Sequence, residues 1–310
     1  MAPTDSHQRR ILVTGSNGLL GQKLTEQIRN NPLWTCIATA KGPNRNPVQD
    51  GYTYAELDIT NEASVAQVLT QYQPEVVIHT AAMTNVDACE SDPEGCELLN
   101  VEAVRFLVRQ CEKQHIHFVH VSTDFIFDGN EGPYTEDAVP NPLSRYGHSK
   151  LDAEIIVQQA TCPWAIVRTV LVYGVVADMS RSNIVLWAKG ALEKGQPLKV
   201  VNDQWRTPTL AEDLAQGCLL IAEQKVTGIF NISGAEGMGI HELVKAVAIH
   251  WKLDPALISE VTSDTLNQAA PRPPRTGFIL DKAIQQLGYK PHTFQEGLAL
   301  VDQQIKQYQS

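Results

Sequence analysis

The sequence predicts an α/β protein: a doubly wound parallel sheet with a smaller, partly interleaved carboxy-terminal domain. Three observations carry this. Short apolar runs alternate with amphipathic helical stretches from Arg10 to Arg168, the pattern of a parallel sheet. A glycine-rich turn, Gly15-Ser16-Asn17-Gly18-Leu19-Leu20-Gly21, joins the first strand to the first helix. Finally, Gly15, Asp58, Ala81, Thr123 and Val172 fall at or after strand ends, where such sheets collect ligands.

The elements follow in order. Arg10–Thr14 is a short buried strand, and Leu19, Leu20, Leu24 and Ile28 form one face of the helix after it. Trp34–Thr39 and Tyr54–Asp58 are strands on either side of a Gly/Pro/Asn-rich loop. Asn61 starts a helix through Val65, Val68 and Leu69. Glu75–Thr80 is a strand apolar enough to be covered on both faces. Cys96–Gln114 reads as one long amphipathic helix, His117–Ser122 as a strand, Tyr146–Gln159 as a helix and Trp164–Arg168 as a strand. Beyond Tyr173 the pattern loosens, with helices at 182–194, 210–223, 240–251 and 293–307 and strands at 198–201 and 228–232. The expected division is a dinucleotide-binding domain over 1–170, to which 210–232 returns, and a substrate domain from 171–209 and 233–310.

Composition narrows the function classes. A net charge of −10 with scattered basic residues offers no clustered cationic face for a nucleic acid. No apolar run approaches the roughly 20 residues of a membrane span. The polar start, Met1 to Arg10, lacks a signal peptide's apolar stretch, and Ala2-Pro3-Thr4-Asp5-Ser6 reads as a disordered tail. The six cysteines form no C-x-x-C pair and no zinc spacing, so no metal ligands are assigned and a reducing, cytoplasmic location is expected.

The glycine turn suits a dinucleotide pyrophosphate: Gly15, Gly18 and Gly21 permit a tight turn and close approach, and the helix start offers free N–H groups. Asn17 and Leu19 lie in the same turn. After the second strand no acidic residue stands to hold a ribose 2′-hydroxyl. Lys41 and Arg45 are there instead, so NADP(H) is expected in preference to NAD(H), unless both are plain solvated loop charges. Asp58-Ile59 is placed to meet the adenine, or is a solvated turn. Tyr146 and Lys150 sit one helical turn apart, the spacing that would let an ammonium lower a phenol's pKa for proton transfer. Ser122-Thr123-Asp124 ends the fifth strand, where a hydroxyl would meet a substrate oxygen. Asn100 would anchor a water behind Lys150, or is a solvated helix position. His79, His117 and His120 read as satisfied strand histidines and His148 as pointing to another helix face, and none of them is assigned chemistry.

These residues resemble the extended short-chain dehydrogenase/reductase superfamily and, within it, the dTDP-4-dehydrorhamnose reductase family. The resemblance runs through Ile11–Gly21, Ala81–Glu90, Ser122–Gly129, Pro142–Lys150, Arg168-Thr169, Val172–Gly174 and Asp203–Thr209. It implies a Rossmann-like fold and reduction of the C4 carbonyl of a nucleotide-linked 4-keto-6-deoxy sugar by NAD(P)H. Tyr146 would donate the proton, Lys150 would lower its pKa and hold the nicotinamide ribose, Thr123 would orient the carbonyl, and Asp124 would bond sugar hydroxyls. Ala81, Ala82, Thr84 and Ser122 fall to the cofactor. Val86, Phe125, Trp205 and the arginines of the late proline-rich loop, Arg272 and Arg275, fall to the substrate. Some relatives of that family carry magnesium at dimer contacts, but no ligands map onto this chain; the face of the Cys96–Gln114 helix could serve a homodimer, and burial inside one subunit explains it as well.

The chain departs from the family at Val170-Leu171, where relatives place a pocket tryptophan. Two other readings follow. One is a nucleotide-sugar epimerase or dehydratase, although Phe125 stands where dehydratases place a glutamate. The other is a non-catalytic NADP-binding regulator similar to the β-subunit of methionine adenosyltransferase, which shares a segment like Leu171-Val172-Tyr173-Gly174.

Overall fold

The computed structural model describes residues 8–177, 182–266 and 268–309. The tail expected over Ala2–Ser6 lies outside them. The chain runs β1 (Arg9–Thr14), α1 (Leu19–Arg29), β2 (Trp34–Ala40), β3 (Thr53–Glu56), α2 (Glu62–Tyr72), β4 (Val76–His79), α3 (Val86–Ser91), α4 (Pro93–Glu97), α5 (Ala103–Gln114), β5 (His117–Thr123), α6 (Arg145–Gln158) and β6 (Trp164–Thr169). It continues with β7 (Val172–Tyr173), α7 (Ile184–Glu193), β8 (Leu198–Val201), β9 (Trp205–Arg206), β10 (Thr209–Leu210), α8 (Ala211–Gln224), β11 (Gly228–Asn231), β12 (Met238–Gly239), α9 (Ile240–His250), β13 (Ile258–Val261) and α10 (Phe294–Gln309).

Seven strands form one sheet in the order β11-β6-β5-β4-β1-β2-β3, every pairing parallel. The strand order reverses direction between β1 and β4, and this Rossmann-like switch point opens the crevice where ligands bind. Side chains alternate across the sheet. Ile11 and Val13 join Leu24 and Ile28 of α1 and Leu214 and Cys218 of α8 on one face. Leu12 joins Val65 of α2, Leu107 of α5 and Val157 of α6 on the other. Each fully buried Leu or Val contributes roughly 1.5–3 kcal/mol, so both faces must be covered. The 228–232 strand returns to the sheet as β11 beside β6. A separate core gathers α7, α9 and α10 around Val185, Val247, Leu298 and Val301.

Several elements differ from the sequence reading. The long helix begins at Pro93 and is interrupted by a π-helical turn, Leu98–Glu102, between α4 and α5. An apolar period cannot reveal one extra residue in a turn, and such turns cluster at functional sites. The short helix α3 was not anticipated, although its caps are visible in the chain: the Asn85 side chain accepts from Ala88 N, and Asp92-Pro93 starts the next helix. The stretch after Trp251, read as loop, holds β13, which pairs with β8 in parallel. Among the described residues no helix is long and apolar enough to cross a membrane. All six cysteines are buried and free of disulfides.

Candidate functional site

The glycine turn closes at the carboxyl end of β1. Gly15 adopts φ +70°, and a Cβ built there would meet Ala81 N at 2.9 Å. A Cβ on Gly21 would lie 2.3 Å from the Gly15 carbonyl oxygen, so α1 packs on the turn only because both are glycine. Gly18 caps α1 without a side-chain bond, leaving the helix start open to an anion. The hydroxyls of Ser16 and Ser122 are buried without partners. Glycine cradle, open helix start and orphaned hydroxyls together fit a dinucleotide.

Around this cradle, Asn17 ties the following loop in place: its side chain donates to Pro43 O at 2.9 Å and accepts from Arg45 N at 2.9 Å. Leu19 packs near Gly174, Ile59 is buried in the α2–α5 core, and Ala81, Ala82 and Thr84 follow β4. Lys41 and Asp58, expected to act separately, are joined by a 2.7 Å ion pair, and Asp58 also accepts from Thr60. That pairing offsets the Lys41 charge and leaves exposed Arg45 as the cation fixed beside the turn.

Tyr146 and Thr123 meet at the end of β5. Ser144 caps α6 by accepting from Gly147 N at 3.2 Å. A Cβ at Gly147 would fall 2.3 Å from the Phe125 carbonyl oxygen, so glycine lets α6 sit directly on the strand end. The buried Tyr146 ring packs edge-on against Phe125 at 5.8 Å, in a cluster with Cys89, Cys96, Met83 and Val86. Burial pushes the phenol well above 10, the hydrogen bond with Thr123 opposes that rise, and Asp124 adds to it. Thr123 also accepts from Phe125 N at 3.2 Å and donates to Asp124 Oδ1 at 3.1 Å.

The Lys150 ammonium, one turn from Tyr146, donates to Val121 O at 2.7 Å and faces His120 Nε2 at 3.2 Å. Lys150 is itself pushed down from 10.5 to about 8 by burial, with Glu154 and Cys96 opposing. The unfolded chain therefore binds more protons between these values, and stability rises with pH across that window. The Lys150→Met variant should accordingly show its greatest stability relative to the native protein below pH 8. Chemical denaturation of the cofactor-free protein at stepped pH should show that difference shrinking toward pH 10.5.

Asn100 lies in the π-helical turn and not on a regular helix face. Its side chain accepts from Met83 N at 2.8 Å and donates to Met83 O at 3.1 Å and Ser149 Oγ at 3.0 Å. It braces the segment after β4 against α6.

On the substrate side, Asp124 was assigned to sugar hydroxyls but is buried and already engaged. It accepts from Thr123 and Thr276, and Arg206 Nε stands 3.8 Å away. Burial pushes its carboxyl up, and Arg206 pulls it back most strongly. Arg206 reaches onward to Pro273 O at 2.7 Å and Trp205 O at 2.7 Å, fastening the proline-rich loop. Arg272 forms a two-point pair with Asp87 at 3.1 and 2.6 Å, so it is not a free anion receptor in this state. Arg275 stacks over Trp205, its guanidinium 4.9 Å from the ring centre.

Sequence reasoning passed over Asp87, Arg206 and Thr276, and read His120 as a satisfied strand histidine. Asp87 and Arg206 stood inside quoted segments, but their partners are distant in the chain, so spacing held no trace of them. Among the described residues no group of three or more His, Cys, Asp or Glu side chains could hold a metal ion.

The comparisons agree with this architecture. The family described as RmlD substrate binding domain matches residues 9–307. Methionine adenosyltransferase 2 subunit beta of Xenopus laevis is 32% identical over 275 residues, covering 86% of this chain and 78% of that protein. A probable low-salt glycan biosynthesis reductase of Haloferax volcanii is 30% identical over 300 residues, covering 96% and 99%. The crystal structure of dTDP-4-dehydrorhamnose reductase from Bacillus anthracis in complex with NADP superimposes with a TM-score of 0.83 at 25% identity, covering 95% of this chain and 99% of that one.

Proposed function

From membership in the RmlD substrate binding domain family of the extended short-chain dehydrogenase/reductases, to which this chain belongs, we propose that it is an NADPH-dependent reductase of a nucleotide-linked 4-keto-6-deoxy sugar, dTDP-4-dehydrorhamnose foremost. The observation that carries the reading is the meeting of Thr123 with a buried Tyr146 at the mouth of a sheet whose first turn is shaped for a pyrophosphate.

A dihydronicotinamide dinucleotide, held by Gly15, Gly18 and the α1 start, would supply the hydride. Tyr146 delivers the proton to the carbonyl oxygen as charge develops there, and Thr123 holds that oxygen beside the phenol. A phenol raised by burial stays protonated at neutral pH, which suits an acid in the reducing direction. Lys150 keeps a positive charge near the reacting centre. The cofactor's pyrophosphate falls to Gly15, Gly18 and the α1 start, and the substrate to Val86, Phe125, Trp205 and Arg275. The described parts of 171–209 and 233–310 would close the substrate side, with Phe278, Leu280, Ala283, Leu287 and Tyr289 packed into the sheet's own core.

Arg45 is the determinant of NADP over NAD in this reading, since Lys41 is neutralised by Asp58. Arg45→Glu should weaken NADPH binding roughly tenfold or more while leaving NADH nearly unchanged, because one charge-assisted bond to the 2′-phosphate is lost and a repulsion gained. Titration of nicotinamide fluorescence with both cofactors measures this, and equal losses for the two would remove Arg45 from the selection. The function itself is tested by NADPH oxidation with dTDP-4-keto-6-deoxy-L-mannose. Absence of turnover, together with co-purification of a methionine adenosyltransferase catalytic subunit, would favour the regulatory reading that the 32% identity to the Xenopus protein supports.

A further inference from the structure

We propose that His120 is a positioning residue for Lys150, holding its ammonium as a neutral imidazole acceptor from beneath the sheet's ligand crevice. The kinetic arm of the test below rests on the reductase reading, but the structural arm does not.

The sheet register aligns Thr14 of β1, His79 of β4 and His120 of β5 in one row across three neighbouring strands. Thr14 Oγ1 accepts from Thr80 N at 3.2 Å and Ala81 N at 3.4 Å, so its own proton goes to His79 Nδ1, 2.7 Å away. The His79 ring stacks on His120 at 5.4 Å. His120 Nε2 then faces Lys150 Nζ at 3.2 Å. The row thus runs from the residue before the glycine turn to the amine of α6, with Thr14, His79, His120 and Lys150 all buried.

A lysine ammonium has three protons and no acceptor. One goes to Val121 O. A second goes to a bare His120 Nε2, which puts the imidazole proton on Nδ1, a buried atom without a protein partner. The third remains for the crevice. Two cations at 3.2 Å in a dry site are not tolerated, so His120 must be uncharged while Lys150 is charged. Burial first, then Lys150 and His79, hold His120 well below 6.5, and burial and Lys150 bring His79 to about 3. The other titratable groups acting on Lys150 are Glu154 from α6 and Cys96 from α4, and both favour its charged form. Asn100 does not serve this purpose, because its amide is bonded to Met83 and Ser149.

The test uses the full chain. In cofactor-free protein labelled with 15N-histidine, His120 should show an unprotonated Nε2 at neutral pH. In Lys150→Met its titration should move up by about one unit or more, as the like charge is removed. A protonated Nε2 in the native protein, or an unmoved titration in Lys150→Met, overturns the proposal and leaves the reductase reading intact. In the kinetic arm, His120→Phe should lose roughly ten- to a hundredfold in kcat, the scale of one charge-assisted hydrogen bond. Its basic limb should shift to lower pH, because the ammonium has lost an acceptor. His120→Gln, which returns an acceptor at the Nε2 position, should recover most of both. Equal losses in the two variants with unshifted pH profiles would mean that His120 only fills space. A native protein without turnover would sink the reductase reading, while the 15N measurement still decides the role of His120.

Discussion

Replacing Tyr146 by Phe is expected to lower kcat for keto-sugar reduction by roughly a thousandfold, within the range that a positioned general acid contributes. Only the hydroxyl is removed. The ring keeps its edge-on packing with Phe125 and its place among Val86, Met83, Cys89 and Cys96, so the fold and the cofactor cradle should persist. Thr123 loses its phenolic partner but retains Asp124 and Phe125 N. NADPH affinity should therefore stay within about twofold of native, because the pyrophosphate contacts proposed for Gly15–Gly21 are untouched and a uniform-binding loss would appear in affinity and not in kcat. Stopped-flow oxidation of NADPH together with fluorescence titration separates the two quantities. Native-like turnover in Tyr146→Phe would exclude the phenol as proton donor.

Arg168→Met is expected to destabilise the protein by about 3–5 kcal/mol, the usual cost of leaving one member of a buried ion pair alone. Arg168 and Glu154 are 2% and 0% exposed, and their side chains meet at three distances from 2.7 to 3.3 Å. Arg168 also donates to Glu136 O at 2.9 Å and lies over the Phe127 ring. The pair joins β6 to α6 one turn beyond Lys150, so it fixes the helix that carries both Tyr146 and Lys150. The double variant Arg168→Met with Glu154→Leu should recover a large part of the loss, since no charge is then stranded. Urea denaturation of the two variants beside the native protein tests this. A single variant within 1 kcal/mol of native would show the pair to be far better solvated than its burial implies.

The parallel sheet was legible because β1, β2, β4, β5 and β6 are short runs of β-branched and apolar residues, separated from one another along the chain by helical stretches. The glycine turn and the Tyr146–Lys150 spacing were equally plain, since both are local in sequence. What could not be read was long-range. Nothing near Asp87 announces Arg272, and nothing near Asp124 announces Arg206 and Thr276. Lys150 shows the same limit in another form. Spacing placed it on the face of Tyr146, yet the direction of its amine is set by Val121 O and His120, on a strand thirty residues earlier. The histidines in β4 and β5 look like core residues in the chain, and only the register brings His79 and His120 together.

The π-helical turn has a consequence for how the wall of the crevice varies. One residue beyond an α-helical turn shifts the phase of everything upstream by about 100°. Deleting a single residue between Leu98 and Glu102 would swing α4, with Cys96, away from the phenol while sparing the inner face of α5. Loss or insertion of one amino acid there would re-aim this wall of the site at the cost of repacking Cys89, Cys96 and Tyr146.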